Sequence, residues 1–217
     1  MKFYPIFLRL EGRPCVVIGG GEVAERKVES LRAAGARVML VSPELTPALR
    51  ALLEQGEIEH RPRGYRHGDL AGAFLAFAAT DDAAVNAAIA AEAESSGVLL
   101  NAVDKPEFCT FIVPSVVERG DLVIATSTGG ASPLLARRIR EVLEAQFGPE
   151  YAEAVRLLGE IRARLAAEGR PAEERRRIFA ALLDSPLLEL LRQGDRAAVR
   201  RLLAETLGAE YTGETLV

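Results

Sequence analysis

Cysteine and histidine are scarce in this 217-residue chain, with two of each. Cys15 begins an apolar, strand-like run and Cys109 lies in a loop-like segment. Two such cysteines make neither a disulfide framework nor a zinc site, and a reducing cytoplasm is the expected setting. His60 and His67 fall in a loop-rich stretch and are expected at the surface. No His-Glu-x-x-His, Cys-x-x-Cys or acidic calcium-loop pattern occurs, so no metal ligands are assigned. Positive charge is not in excess: 27 Lys and Arg against 31 Asp and Glu leave a net charge of −4. That argues against a nucleic-acid partner and leaves room only for a local basic patch. Long apolar runs are missing too. Residues 74–79 are apolar but short, which suits a buried strand, and nothing approaches the roughly 20 residues of a membrane span. The first residues lack the basic head, apolar stretch and small-residue cleavage site of a secretory leader. No internal repeat is visible.

What is present supports a sizeable core. Hydrophobic residues make up 49% and mean hydropathy is +0.10. Strand patterns at 15–18, 37–41, 58–61, 74–78 and 98–101 alternate with helical patterns at 22–34, 46–55 and 83–96. Such alternation implies α/β architecture with a parallel sheet and right-handed crossovers. After residue 104 the pattern changes. Runs at 111–117 and 122–126 read as a strand pair, followed by a helix at about 133–147. From Tyr151 only helical patterns remain, broken at Gly169-Arg170-Pro171, Ser185-Pro186 and Gly194. The expected organisation is a Rossmann-type parallel-sheet domain at 1–113, a β-α dimerisation segment at 114–148 and a small all-helical domain at 149–217. A strand pair and helix outside the main sheet need something to pack on. That is either a two-fold partner or their own domain.

Gly19-Gly20-Gly21-Glu22-Val23-Ala24 stands between a strand and a helix, the context a dinucleotide loop requires. The first glycine permits the tight turn and the second lets backbone approach pyrophosphate. Ala24, small, allows close helix–strand packing. The plain alternative is a glycine turn without ligand. The second strand ends Val41-Ser42-Pro43-Glu44, with Ser42 where a ribose-binding acid usually stands and Glu44 slightly late. No arginine or lysine stands there for a 2′-phosphate, which favours NAD over NADP. Glu44 also reads as an exposed acid at a helix entry. Thr80-Asp81 follows a buried strand on the same edge; it can line the cofactor's ribose or simply cap a helix. Asn101-Ala102-Val103-Asp104 puts a carboxylate at the end of a later strand. Partly desolvated beside a cofactor, Asp104 can accept a proton; alternatively it is a solvated turn acid. Thr128, Gly129, Gly130 and Ser132, before a helix carrying Arg137, Arg138 and Arg140, make an anion site or an ordinary capped helix.

These signposts, in order, are Pro5-Ile6-Phe7, the glycine loop through Lys27, Ala78-Ala79-Thr80-Asp81-Asp82, Asn101-Ala102-Val103-Asp104, Phe111-Ile112-Val113-Pro114-Ser115 and Gly129-Gly130-Ala131-Ser132-Pro133. With them the chain resembles the precorrin-2 dehydrogenase / sirohydrochlorin ferrochelatase family of sirohaem biosynthesis. The helical tail matches in character, as at Glu174-Arg175-Arg176-Arg177. The resemblance implies a homodimer in which NAD⁺ takes hydride from precorrin-2 to give sirohydrochlorin. In some members Fe²⁺, a substrate rather than a bound cofactor, is then inserted in the same cleft. It places the essential aspartate on Asp104 and NAD contacts on Glu22, Val23, Pro43 and Glu44. Gly19, Gly20, Gly21, Thr80, Asp81 and Asn101 complete the expected cofactor set; Thr128, Gly129, Gly130, Ser132 and Arg137 form the expected set for the carboxylate-rich tetrapyrrole. Thr128 stands where some members have a modified serine. The family's methyltransferase half has no counterpart here, so another enzyme is expected to supply substrate. Two other readings stay open: a dinucleotide-sensing module without catalysis, and a chelatase that uses NAD only structurally.

Overall fold

The structure, a computed structural model, describes residues 2–208 and 211. The chain forms two compact units, Met1–Val113 and Pro114–Val217.

In the first unit, β1 (Pro14–Ile18) is apolar on both faces. Cys15 and Val17 enter one core, Val16 and Ile18 another. Successive side chains of a strand point to opposite faces, so this pattern needs cover on both sides. α1 (Glu22–Ala33) supplies Ala24, Val28 and Leu31 to the first core, and α2 (Pro47–Glu54) supplies Leu49. α3 (Ala83–Ser96) brings Ile89 and Ala93 to the second. β2 (Arg37–Val41), β3 (Glu59–Arg61), β4 (Leu75–Ala78) and β5 (Leu99–Ala102) complete a parallel sheet in the order β3-β2-β1-β4-β5. The chain moves one way from β1 to β2 and the other way to β4. The crevice beyond the carboxyl end of β1 is therefore the switch point where ligands of open α/β sheets bind.

The crossing from β3 to β4 carries no helix. Two buried carboxylates organise it instead. Asp69 pairs with Arg61 and Arg63 and accepts the Arg66 amide at 2.8 Å. Glu92, on α3, accepts the amides of Leu70 at 2.8 Å and Gly68 at 2.9 Å and the Tyr65 hydroxyl. His67 is exposed, as expected, but His60 is not a surface residue. It is half-buried on β3, with a ring nitrogen 2.8 Å from the Ser42 carbonyl oxygen.

In the second unit, β6 (Ser115–Arg119) and β7 (Leu122–Thr126) pair antiparallel across a Gly120-Asp121 turn. The strand expected at 111–117 starts only at Ser115. Phe111 is drawn into the first unit instead, edge-on to Phe77 at 5.6 Å between ring centroids. Pro114 cannot donate to a ladder. α4 (Pro133–Gln146) packs on the hairpin. Arg119 reaches the carbonyls of Phe147 at 2.9 Å and Glu144 at 3.2 Å, where a cation meets the negative end of the helix dipole. α5 (Glu150–Ala167), α6 (Ala172–Asp184), α7 (Leu187–Gln193) and α8 (Arg196–Leu207) enclose a core that includes Leu157, Ile161, Leu165, Leu182, Leu203 and Tyr211. The breaks at Gly169-Arg170-Pro171, Ser185-Pro186 and Gly194 separate these helices as expected. Among the described residues no helix is long and apolar enough to cross a membrane.

Candidate dinucleotide site and the Asp104 turn

The glycine loop is shaped from within. Gly19 has φ +121°, and a Cβ there would lie 2.2 Å from the Ala79 carbonyl oxygen. A Cβ on Gly20 would lie 1.9 Å from the carbonyl oxygen of Glu44. Neither position has room for a side chain. Gly21 differs: nothing lies within 4 Å of where its Cβ would be. It caps α1 with no side-chain hydrogen bond, so no capping side chain occupies the first amides of the helix. That is the cradle a pyrophosphate needs, with backbone donors, the positive dipole end and no Cβ in the way. The residues present fit a dinucleotide.

The loop is fastened to β2. The Gly19 amide donates to Val41 at 2.9 Å and the Thr46 amide to Gly20 at 3.0 Å. Ser42 is buried, and its hydroxyl donates to the Glu44 carbonyl at 2.7 Å, folding the Pro43-Glu44 turn over the loop. Glu44 itself is exposed. No cation follows β2 in sequence, but strand pairing brings one: Arg61 of β3 lies level with Val41. At the next strand end, Asp82 is the cap of α3, accepting from Ala84 at 2.8 Å and Val85 at 3.1 Å. Neither Thr80 nor Asp81 is needed for that. The buried Asn86 donates to the Thr80 carbonyl at 2.8 Å and fixes this turn.

β5 delivers Asn101 and, two residues past its end, Asp104. The Asn101 side chain donates to the Phe111 carbonyl at 3.0 Å, which gives it a structural task on the inner face. Asp104 has φ +57° and is the only non-glycine residue with positive φ among the described residues. Such conformations are sparsely populated by L-residues and recur at functional sites. Its carboxylate is exposed within this chain, so the expected desolvation is not supplied by the chain's own packing around the turn. The turn rests on Cys109. The Ala102 amide lies 3.3 Å from its Sγ, and Sγ lies 3.2 Å from the Ala102 carbonyl oxygen. Burial pushes this thiol up from its ordinary value, so it is a neutral prop.

In the second unit the hydroxyls expected to meet an anion are partly used internally. Thr128 Oγ1 accepts the Ser132 amide and lies on its carbonyl, both at 3.0 Å, and Ser132 Oγ caps α4 through the Leu135 amide at 3.3 Å. Gly129 and Gly130 are both left-handed, φ +64° and +88°. Arg137 pairs with Glu141 at 3.1 Å, and Arg140 pairs with Glu144. Arg138 has no ion pair among the described residues and is the more available cation. The tail motif lies elsewhere: Arg175 and Arg176, with Arg162 and Phe179, line a concavity of about 450 Å³ between α5 and α6.

Sequence reasoning missed Asp69 and Glu92, which organise the β3–β4 crossing, and Cys109 under the Asp104 turn. A single acid or thiol carries no signal in sequence of which distant groups it will meet. It also missed Arg61, whose place beside β2 follows from pairing rather than from neighbours in sequence. No group of three or more His, Cys, Asp or Glu residues able to hold a metal ion occurs among the described residues.

The sheet order, the open glycine cradle and the anchored β2 end define a dinucleotide-binding protein of the Rossmann type. Family models described as "Putative NAD(P)-binding", "Sirohaem biosynthesis protein central" and "Sirohaem synthase dimerisation region" match residues 6–115, 119–146 and 150–207. Curated relatives include a siroheme synthase of Chromobacterium violaceum, 43% identical over 96% of this chain and 44% of its own length. One of Thioalkalivibrio sulfidiphilus is 42% identical over 95% and 42%. The chain thus spans less than half the length of these relatives. Among solved structures, SirC, a precorrin-2 dehydrogenase, superposes with a TM-score of 0.77 at 25% identity, covering 94% of this chain and 98% of that one. The chain belongs to the family described as putative NAD(P)-binding, and the rest of it matches the central and dimerisation regions of sirohaem synthase.

Proposed function

We propose that this chain is an NAD-dependent precorrin-2 dehydrogenase that forms sirohydrochlorin, acting as a homodimer. The observation that carries the reading is Asp104, held in a left-handed turn at the carboxyl end of β5, on the same sheet edge as the open glycine cradle. Oxidation of the reduced macrocycle removes a hydride and a proton. The nicotinamide, when bound, supplies the hydride acceptor. The chain's residues do the rest. The α1 amides and Gly21 seat the pyrophosphate, Ser42 shapes the Pro43-Glu44 turn toward the ribose, and Thr80-Asp81 lines the edge. Asp104 takes the proton from the substrate. Positioning supplies much of the rate, because both acceptors must meet one carbon framework. The Thr128–Ser132 loop with Arg137 and Arg138 offers donors to substrate carboxylates.

Insertion of Fe²⁺ into the product belongs to the same reading. It displaces two pyrrole N–H protons, and a carboxylate that accepts one proton in the first step serves again in the second. Iron is here a substrate.

The test is anaerobic incubation of the protein with enzymatically made precorrin-2, with and without NAD⁺, following visible absorbance and NADH together. NAD-dependent sirohydrochlorin with matching NADH is expected, and Fe²⁺ added afterwards reads out the chelatase. Folded protein that binds NAD⁺ yet produces neither NADH nor sirohydrochlorin would instead be a sensor or a chelatase alone.

A further inference from the structure

Two arginines stand beside the end of β2, where the adenine ribose of a dinucleotide is expected. The Ser42 amide donates to the Arg61 carbonyl at 3.2 Å, so Arg61 is one strand away from Ser42 and Glu44 on the carboxyl edge. Arg63 follows two residues later. A cation at this place is what accommodates a 2′-phosphate in dinucleotide-binding folds. Neither guanidinium is free. Arg61 Nη1 donates to Asp69 Oδ1 at 2.6 Å. Arg63 donates through Nη1 to Oδ2 and through Nη2 to Oδ1, both at 2.7 Å. The Asp69 side chain is only 3% exposed, and the Arg63 hydrogen bonds, foremost among its contacts, hold its carboxyl well below the usual range. Acidic side chains stand close to the glycine loop. Glu22 and Glu25 lie in the first turn of α1, with Glu25 accepting the Thr46 hydroxyl at 2.6 Å, and Glu44 is exposed beyond β2.

We propose that Asp69 determines cofactor specificity by latching Arg61 and Arg63 away from the ribose subsite, so that the chain takes a dinucleotide with a free 2′-hydroxyl and rejects one with a 2′-phosphate. The inference rests on the dinucleotide reading above. Arg63 spends both terminal nitrogens on Asp69, so a phosphate recruits it only by stripping it from a buried carboxylate, which is then left short of a partner in a poorly solvated place; Arg61 is drawn to the same carboxylate through Nη1. Without that recruitment the acids beside the loop, Glu22, Glu25 and Glu44, disfavour the added negative charge.

The experiment is calorimetric titration of the full chain with NAD⁺ and with NADP⁺, without tetrapyrrole. The wild type is expected to favour NAD⁺. Asp69→Asn is expected to raise NADP⁺ affinity relative to NAD⁺ by about tenfold, the worth of one charge-assisted hydrogen bond to phosphate. A folded Asp69→Asn protein with the wild-type ratio would overturn the proposal. The double variant Asp69→Asn, Arg61→Gln removes the carboxylate with one partner and releases Arg63, so it tests the latch even where the single variant fails to fold. It is expected to raise NADP⁺ affinity relative to NAD⁺ as well, and a folded double variant with the wild-type ratio would overturn the latch. Folded wild type that binds neither nucleotide would remove the dinucleotide reading itself, and the latch with it.

Discussion

Asp104 combines an unusual backbone with the side chain proposed as proton acceptor, and the two can be separated. At φ +57° an alanine is strained, whereas asparagine tolerates the left-handed region and keeps nearly the same volume. Asp104→Asn therefore preserves the turn over Cys109 and removes the proposed proton acceptor. Sirohydrochlorin formation is expected to fall at least about 100-fold, the lower bound of what a positioned base contributes, with NAD⁺ affinity within about twofold of wild type. Turnover near normal would end the role given to Asp104. Gly20 is a different kind of residue. Its Cβ position is occupied by the Glu44 carbonyl oxygen at 1.9 Å, so Gly20→Ala must push the Pro43-Glu44 turn away from the loop. Overpacking of this kind costs roughly 1–3 kcal/mol; a drop in melting temperature with NAD⁺ affinity weakened at least tenfold is expected. Gly21→Ala, in open space, is expected to fold normally and weaken only the nucleotide. Equal melting temperatures for the two variants would contradict this assignment. The glycine pattern in the sequence pointed to a ligand, but two of its three glycines answer to neighbouring carbonyls. A motif cannot show which atoms crowd it.

The β3–β4 crossing is the element least like its sequence pattern, because two carboxylates do the work of a helix. Glu92 is almost fully buried. Burial raises its pKa, but the Tyr65 hydroxyl and the Gly68 and Leu70 amides outweigh that and leave it lowered; Asp69 is lowered chiefly by its hydrogen bonds from Arg63. A carboxylate with a depressed pKa in the folded state stabilises the fold above its unfolded value, and that contribution is lost as pH falls through the folded value. Stability is thus expected to be flat from pH 7 to about 5 and to decline below about 4, where unfolded carboxylates begin to bind protons. Glu92→Gln is expected to cost about 3 kcal/mol at pH 7, since a buried acceptor of several hydrogen bonds is lost. Its penalty should shrink on acidification. Denaturant melts of both proteins at pH 7 and pH 3.5 check this, and a penalty that stays constant would show that Glu92 is not charged in the fold. Most of the strands and the three helices around this crossing were legible from their apolar runs and their helix start and stop signals, while β3, Glu59-His60-Arg61, carries no apolar residue and gave only a weak signal. The crossing was not. Its order comes from a helix residue reaching back some two dozen positions to a polar loop, and no local pattern encodes that. The late start of β6 has the same origin, a distant contact between Phe111 and Phe77 overriding an apolar run.

On the whole molecule, the proposed homodimer raises the question of which surface carries it. The family description gives dimerisation to residues 150–207, while the sequence pattern pointed to the hairpin and α4. The distribution of exposed apolar side chains favours the second. Leu134, Leu135, Ile139 and Val142 of α4 are 40–68% exposed, and Val116 and Val123 of the hairpin are both 38% exposed. Positions 135, 139 and 142 recur every three or four residues and form one stripe. Over residues 150–207 only Leu183 is a large exposed hydrophobic among the described residues; the apolar residues of those helices are spent on their own core. A stripe of this kind, left open to water, marks an interaction surface, and a two-fold axis would bury the same stripe on both copies. Each fully buried leucine or isoleucine contributes about 2 kcal/mol, so covering the stripe on both copies favours pairing. Leu135→Glu with Ile139→Glu is expected to halve the mass seen by sedimentation, to that of one 23.4 kDa chain, with helical circular dichroism unchanged. Leu183→Glu is expected to leave the dimer intact. The reverse pattern, with the Leu183 variant monomeric and the α4 variant dimeric, would move the interface to the helical tail and leave the α4 stripe to be explained by some other partner.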